Sequence, residues 1–146
     1  MISSIDKEIL KHLIKNGRLS FRDISRKSKL SVSTIAKRVR QMEKEKIIKG
    51  YSTILDYEKL GYDLTAVTEV IVSKGKLIEI EKMISKIPNV CAVYDVTGLT
   101  DVIVIAKFKN RKELSNFTKL LLSMPFVERT NTHIVLTTVK EDFRMI

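Results

Sequence analysis

The apolar residues of this chain change period once. Up to about residue 46 they recur at helical spacing, and from residue 63 onward β-branched runs alternate with helical stretches. A chain that switches period in this way cannot be one uniform bundle or sheet, and must place an all-helical unit before an α+β unit. Its 146 residues suffice for one ordinary domain or two very small ones. Charge divides at the same place: residues 1–50 hold 14 Lys/Arg against 5 Asp/Glu, whereas residues 51–146 hold 13 against 12. Most of the net charge of +10 therefore sits in the first third, the arrangement of a polyanion-binding segment joined to a neutral one.

Three helices are legible in the basic third. Ser4 is placed to cap the first, in which Ile5, Ile9 and Leu13 recur with Leu10 and Ile14 beside them, and Gly17 suits a left-handed stop. Ser20 and Asp23 resemble a capping box opening a short second helix to about Ser28. Ser31 caps the third. With Ile35 of that helix set at zero and 100° per residue, Val39, Met42 and Val32 lie within about 60° of it. Ser33, Thr34, Lys37, Arg40 and Gln41 fall between about 140° and 260°, on the outward side. That face has hydroxyls, an amide and cations but no carboxylate until Glu43. It repels itself unless an anion lies against it. Helix, short helix, tight turn and capped polar helix is the helix-turn-helix order, whose last helix enters the major groove of DNA. The candidate DNA contacts are Ser20, Arg22, Ser31, Ser33, Thr34, Lys37, Arg38, Arg40 and Gln41, residue types suited to phosphates and guanine edges.

Residues 51–62 read as a linker. "KIIKGYSTILD" has the composition of a strand, and "YEKLGY" of a turn ending at Gly61. Beyond it come a strand from about Leu64 to Ser73, a helix near residues 76–86 stopped by Pro88, and two strands joined around Gly98. A helix opened by Asn110 and Glu113 and closed before Pro125 follows, then a last strand, "TNTHIVLTTV". The order βαββαβ predicts a ferredoxin-like sheet with two helices on one face. Val93 and Tyr94, Val102 and Ile103, and Val104 and Ile105 put apolar side chains on both faces of that sheet. The uncovered face therefore needs a cover, most simply a second copy of the chain. A dimer also presents two reading helices to half-sites about 34–36 Å apart.

Other classes find little support. The longest apolar run falls short of a membrane span, and "MISSIDKEILKHLIKNG" is charged throughout, unlike a signal peptide, so the expected location is cytoplasmic. Cys91 is the only cysteine, which leaves no internal disulfide, and with just two distant histidines a zinc site is not expected.

The chain resembles the Lrp/AsnC, or feast/famine, transcription regulators over essentially its whole length. The likeness is carried by "IDKEILKHLIKNGR", "DISRKSKLSVSTIAKRVRQMEKEKIIKGY", "KLGYDL", "GLTD" and "FVERTNTHIVLTTVK". The resemblance implies a helix-turn-helix domain over residues 1–50, a β linker over 51–62 and an amino-acid-sensing RAM domain over 63–146. It also implies dimers paired through the RAM sheets, further assembly, double-stranded DNA as partner, and an amino-acid effector with no other cofactor. By the same resemblance, the effector contacts are Gly98, Leu99, Thr100 and Asp101 with Thr130, Thr132, His133 and Ile134. Asp101 would accept the ammonium, and Gly98, Thr100, Thr130 or Thr132 would meet the carboxylate. One departure is Lys29, where the family often has glycine. Sirohaem decarboxylases look like the same architecture, so an enzyme is the alternative, as is a ligand sensor acting through a partner protein. No paired carboxylates or nucleophile–base set is visible to support catalysis, and no catalytic residue is assigned.

Overall fold

The computed structural model describes residues 2–146. They form two compact units, one of residues 2–54 with Glu141–Ile146 and one of Leu55–Lys140. The last six residues cluster with the N-terminal helices.

The first unit is built on α1 (Ser4–Lys15), α2 (Phe21–Ser28) and α3 (Val32–Lys44). Ser3, not Ser4, caps α1, because only Ser3 has an acid three residues on. Its hydroxyl accepts the Asp6 N–H at 3.1 Å while Asp6 accepts the Ser3 N–H at 3.0 Å. Gly17 does not make a left-handed stop. The Asn16 N–H returns to His12, and the Asn16 side chain accepts the Arg18 N–H at 2.9 Å, which turns the chain without positive φ. The expected Ser20–Asp23 box opens α2, with Asp23 N–H to Ser20 Oγ at 3.1 Å. Ile9, Ile24, Ile35, Val39 and Met42 form the core, and Leu10, Leu13, Leu19, Phe21, Leu30 and Ile48 pack on it. Ile5 and Val32, expected inside, lie in the first turns of their helices and are about two-fifths exposed.

The strand expected from "KIIKGYSTILD" does not form. Lys46 turns into the left-handed region at φ 59°, and the N–H groups of Ile47 and Ile48 both return to the Met42 carbonyl, at 2.9 and 3.1 Å. They close α3 in place of starting a ladder. Residues 51–56 pair with no strand among the described residues.

The second unit contains β1 (Leu64–Val72), α4 (Leu77–Ile84), β2 (Val90–Asp95), β3 (Val102–Phe108), α5 (Arg111–Ser123) and β4 (Val127–Ile134). The strands form one antiparallel sheet in the order β2-β3-β1-β4, the ferredoxin-like arrangement. The last strand begins three residues earlier than expected and ends at Ile134, because its register follows the central strand β1, from Ala66 opposite Ile134 to Val72 opposite Val127. Ala66, Val70, Val102, Val104 and Phe108 point into a core with Ile80 and Ile84 of α4 and Phe117 and Leu121 of α5. Thr68 is fully buried on that side, its hydroxyl 3.1 Å from that of Thr132. The opposite parity, Val67, Ile71, Ile103 and Ile105, is half-buried, so both faces are apolar as the sequence required.

Candidate DNA-reading helix and effector loop

The outward face of α3 is assembled by its cap. The Ser31 hydroxyl accepts the Thr34 N–H at 3.1 Å and lies 2.9 Å from Ser33 Oγ and 2.8 Å from Thr34 Oγ1, a knot of three hydroxyls at the positive end of the helix. Beyond it, Ser33, Ala36, Lys37, Arg40, Gln41 and Lys44 line one shallow depression. Lys37, Arg40 and Lys44 are exposed cations, an arrangement that can neutralise phosphates or donate to base edges. Lys44 was missed in the sequence reading although its helical angle, about 180° from Ile35, already puts it among the outward residues.

Three of the sequence candidates have other partners. Gln41 donates to Glu45. Ser20 Oγ donates to Asp23 at 2.6 Å, and these bonds hold the Asp23 carboxyl below its ordinary range, so a carboxylate stands beside Ser20 at the start of α2. Arg38 is the clearest case. Its guanidinium reaches inward, donating from Nε to Asp6 Oδ1 at 2.7 Å, from Nη2 to Asp6 Oδ2, and to Ser3 Oγ at 3.2 Å. Asp6 is buried, and the Arg38 bonds hold its carboxyl well below the usual carboxylate range against the opposing effect of burial. Arg38 therefore clamps α3 to α1, while its side chain stays 37% exposed. Arg22, on α2, is exposed.

In the second unit the Gly98–Asp101 segment joins β2 to β3. Gly98 has φ +123°, which a side chain would strain. Asp101 accepts the Val72 N–H at 2.8 Å, and Thr100 Oγ1 donates to the Val70 carbonyl at 3.0 Å, so both side chains pin the loop to the end of β1. Leu99 stands clear, 99% exposed. Thr130 lies opposite Val70 and so comes to the same end of the sheet, whereas Thr132 opposite Thr68 and Ile134 opposite Ala66 run away from it. These three follow the helix-covered parity. His133, opposite Val67, is on the other face, where its Nε2 lies 3.5 Å from Glu69 and 3.1 Å from Asn131 Nδ2. Of the eight candidate positions, four thus lie in the β2–β3 loop, and the four on β4 divide between the two faces of the sheet.

Among the described residues no group of three or more His, Cys, Asp or Glu could hold a metal ion, and no helix is long and apolar enough to cross a membrane.

Comparison with known proteins agrees with this division of labour. Residues 2–49 match the winged helix-turn-helix DNA-binding family, although among the described residues no wing strands directly follow α3, and residues 65–145 match the Lrp/AsnC ligand binding domain. An uncharacterised HTH-type transcriptional regulator of Pyrococcus abyssi is 46% identical over 99% of both chains. The HTH-type transcriptional regulator FL11 of Pyrococcus horikoshii is 41% identical, over 96% of this chain and 93% of its own. Among solved structures, a Neisseria meningitidis transcriptional regulator in complex with L-methionine superposes with a TM-score of 0.90. It is 29% identical, and the match covers 100% of this chain and 97% of that one. With a helix-turn-helix unit, a ferredoxin-like unit and relatives matched from end to end, the chain belongs to the Lrp/AsnC family of transcriptional regulators.

Proposed function

We propose that this regulator binds specific duplex DNA through α3, as a dimer or larger assembly whose state is biased by an amino acid. The observation that carries the DNA reading is the outward surface of α3, where Lys37, Arg40 and Lys44 share one depression with Ser33 behind a hydroxyl-capped N-terminus. Base contacts fall to Ser33, Thr34, Lys37 and Arg40, with Lys44, Arg22 and Ser31 positioned for the backbone. Self-association is supported by the apolar, half-buried face of Val67, Ile71, Ile103 and Ile105. The effector reading is supported by the ligand-binding domain match and by the L-methionine bound to the Neisseria relative. The Gly98–Asp101 loop and Thr130 are the candidate contacts, with Asp101 acting partly through its hold on β1. Such an effector shifts assembly only by binding one assembly more tightly than another.

The test is a DNA titration at several salt concentrations. Each phosphate neutralised contributes about −0.9 to the log–log slope, so the double variant Lys37→Ala/Arg40→Ala is expected to bind more weakly and to flatten the slope by roughly two. A parent whose affinity ignores salt, or a double variant indistinguishable from it, refutes the assignment of α3.

A further inference from the structure

The six residues Glu141–Ile146 belong to the same compact unit as the helix-turn-helix, although the whole ferredoxin-like unit lies between them in sequence. The reason is legible in α1. Its apolar stripe is broader than the eight-residue α2 can cover, and only Ile9 of that stripe is fully buried. Leu10, Leu13 and Ile14 are left along an apolar groove of about 880 Å³, whose other wall is Ile47, Ile48 and Ile54. Met145 and Ile146 line the same groove.

The C-terminal segment is shaped to present those two side chains. Asp142 accepts three bonds from Arg144, from its N–H at 3.0 Å, Nε at 2.8 Å and Nη2 at 2.9 Å, and the Met145 N–H returns to the Phe143 carbonyl at 3.1 Å. With Arg144 paired to its own neighbour, the segment carries a net formal charge of −1 from Glu141, Asp142 and Arg144, opposite in sign to the +9 of residues 1–50. The groove is only part-filled: Met145 is 85%, Ile146 55% and Ile54 70% exposed. Apolar side chains on both walls remain wet, and moving the segment inward removes both sets from water at once.

We infer that Glu141–Ile146 is a strap that closes onto the helix-turn-helix unit by seating Met145 and Ile146 between Leu13, Ile14 and Ile47. The strap follows the end of β4 in sequence after residues 135–140. The inference does not rest on the proposed function, and its test uses neither DNA nor effector.

In the full chain, Cys91→Ser removes the native thiol and Phe143→Cys takes a nitroxide label, leaving Met145 and Ile146 intact. The expected result is selective loss of the amide signals of Leu13, Ile14, Ile47 and Ile48 on labelling. Truncation after Lys140, or Ile146→Asp, is expected to speed hydrogen exchange at those positions while α2 and β1 keep their protection. Signal loss confined to residues 135–140, or spread evenly, overturns the strap, as does exchange unchanged by both variants. Signal loss that appears only when labelled and isotope-enriched chains are mixed gives the groove to a second copy's tail and overturns the assignment to the chain's own. Should the truncated chain fail to fold, the labelled full chain still decides between these outcomes.

Discussion

At the scale of single residues, Lys29 shows how local strain and function compete. It caps α2 in the left-handed region at φ 59° and ψ 14°, with its N–H bonded to Ser25. A side chain there costs roughly 1–2 kcal/mol, partly offset because glycine would lose more freedom on folding. Lys29→Gly is therefore expected to stabilise the fold by about 0.5–1 kcal/mol in denaturant melts, while removing a cation from the turn before α3. An unchanged or lowered midpoint would show that Lys29 makes a compensating interaction. The departure from glycine was visible in the sequence, but that the backbone keeps the left-handed turn regardless was not. Arg38 is the reverse case. Its angle of about 300° on the α3 wheel, only about 60° from Ile35, already set it apart from Lys37 and Arg40, and residue type alone concealed this. Asp6, its partner, signalled only a capping box with Ser3, because a contact between positions 6 and 38 is not encoded in any local period.

At the scale of elements, that ion pair is what fixes α3 against α1. Asp6 is 3% exposed and accepts from Ser3 N, Ser3 Oγ and two guanidinium nitrogens. Asp6→Asn removes the counter-charge and replaces one of the two acceptor oxygens facing the Arg38 guanidinium by a donor amide, so it is expected to cost about 2 kcal/mol at neutral pH. The pH dependence follows from the lowered carboxyl. A carboxyl depressed in the folded state contributes fully above its unfolded value of about 4, and the contribution is lost as pH falls toward the folded value. Parent and variant should thus converge in stability as pH drops below about 4, and chemical melts at pH 7 and pH 3 measure the difference. A gap that stays constant with pH would assign the loss to packing instead of charge. The three N-terminal helices were legible because each carries its own cap and stripe. The linker strand was not, since β-propensity describes a residue that fits a ladder and cannot supply the other side of it. In "KIIKGYSTILD" the two isoleucine N–H groups were claimed by the nearer Met42 carbonyl.

At the scale of the whole molecule, the order βαββαβ and the doubling of apolar parity were both readable, because a sheet's two faces are written directly in odd and even positions. The spread of the β4 effector candidates over two faces was less so, since it depends on the register of β4 against β1 and not on residue type. The face away from the helices poses the sharper question for assembly. Glu69, Asn131 and His133 sit among Val67, Ile103 and Ile105 there, and they are bonded to one another: Asn131 Nδ2 donates to Glu69 at 3.2 Å, and His133 lies 3.5 Å from the same carboxylate. Polar groups that satisfy each other can be covered by a second sheet at lower cost than isolated ones. A lone carboxylate placed beside them cannot. Ile105→Glu puts such a charge between Val67 and Ala92, its neighbours across β1 and β2. The side chain is on the solvent side of the folded unit, so the variant should retain the parent's circular dichroism. If the proposed pairing of sheets is correct, its mass by sedimentation falls to that of one chain, and binding to a two-half-site DNA weakens to that of a single site. A variant that keeps the parent's mass would place the self-association surface elsewhere and leave this apolar face to a different partner.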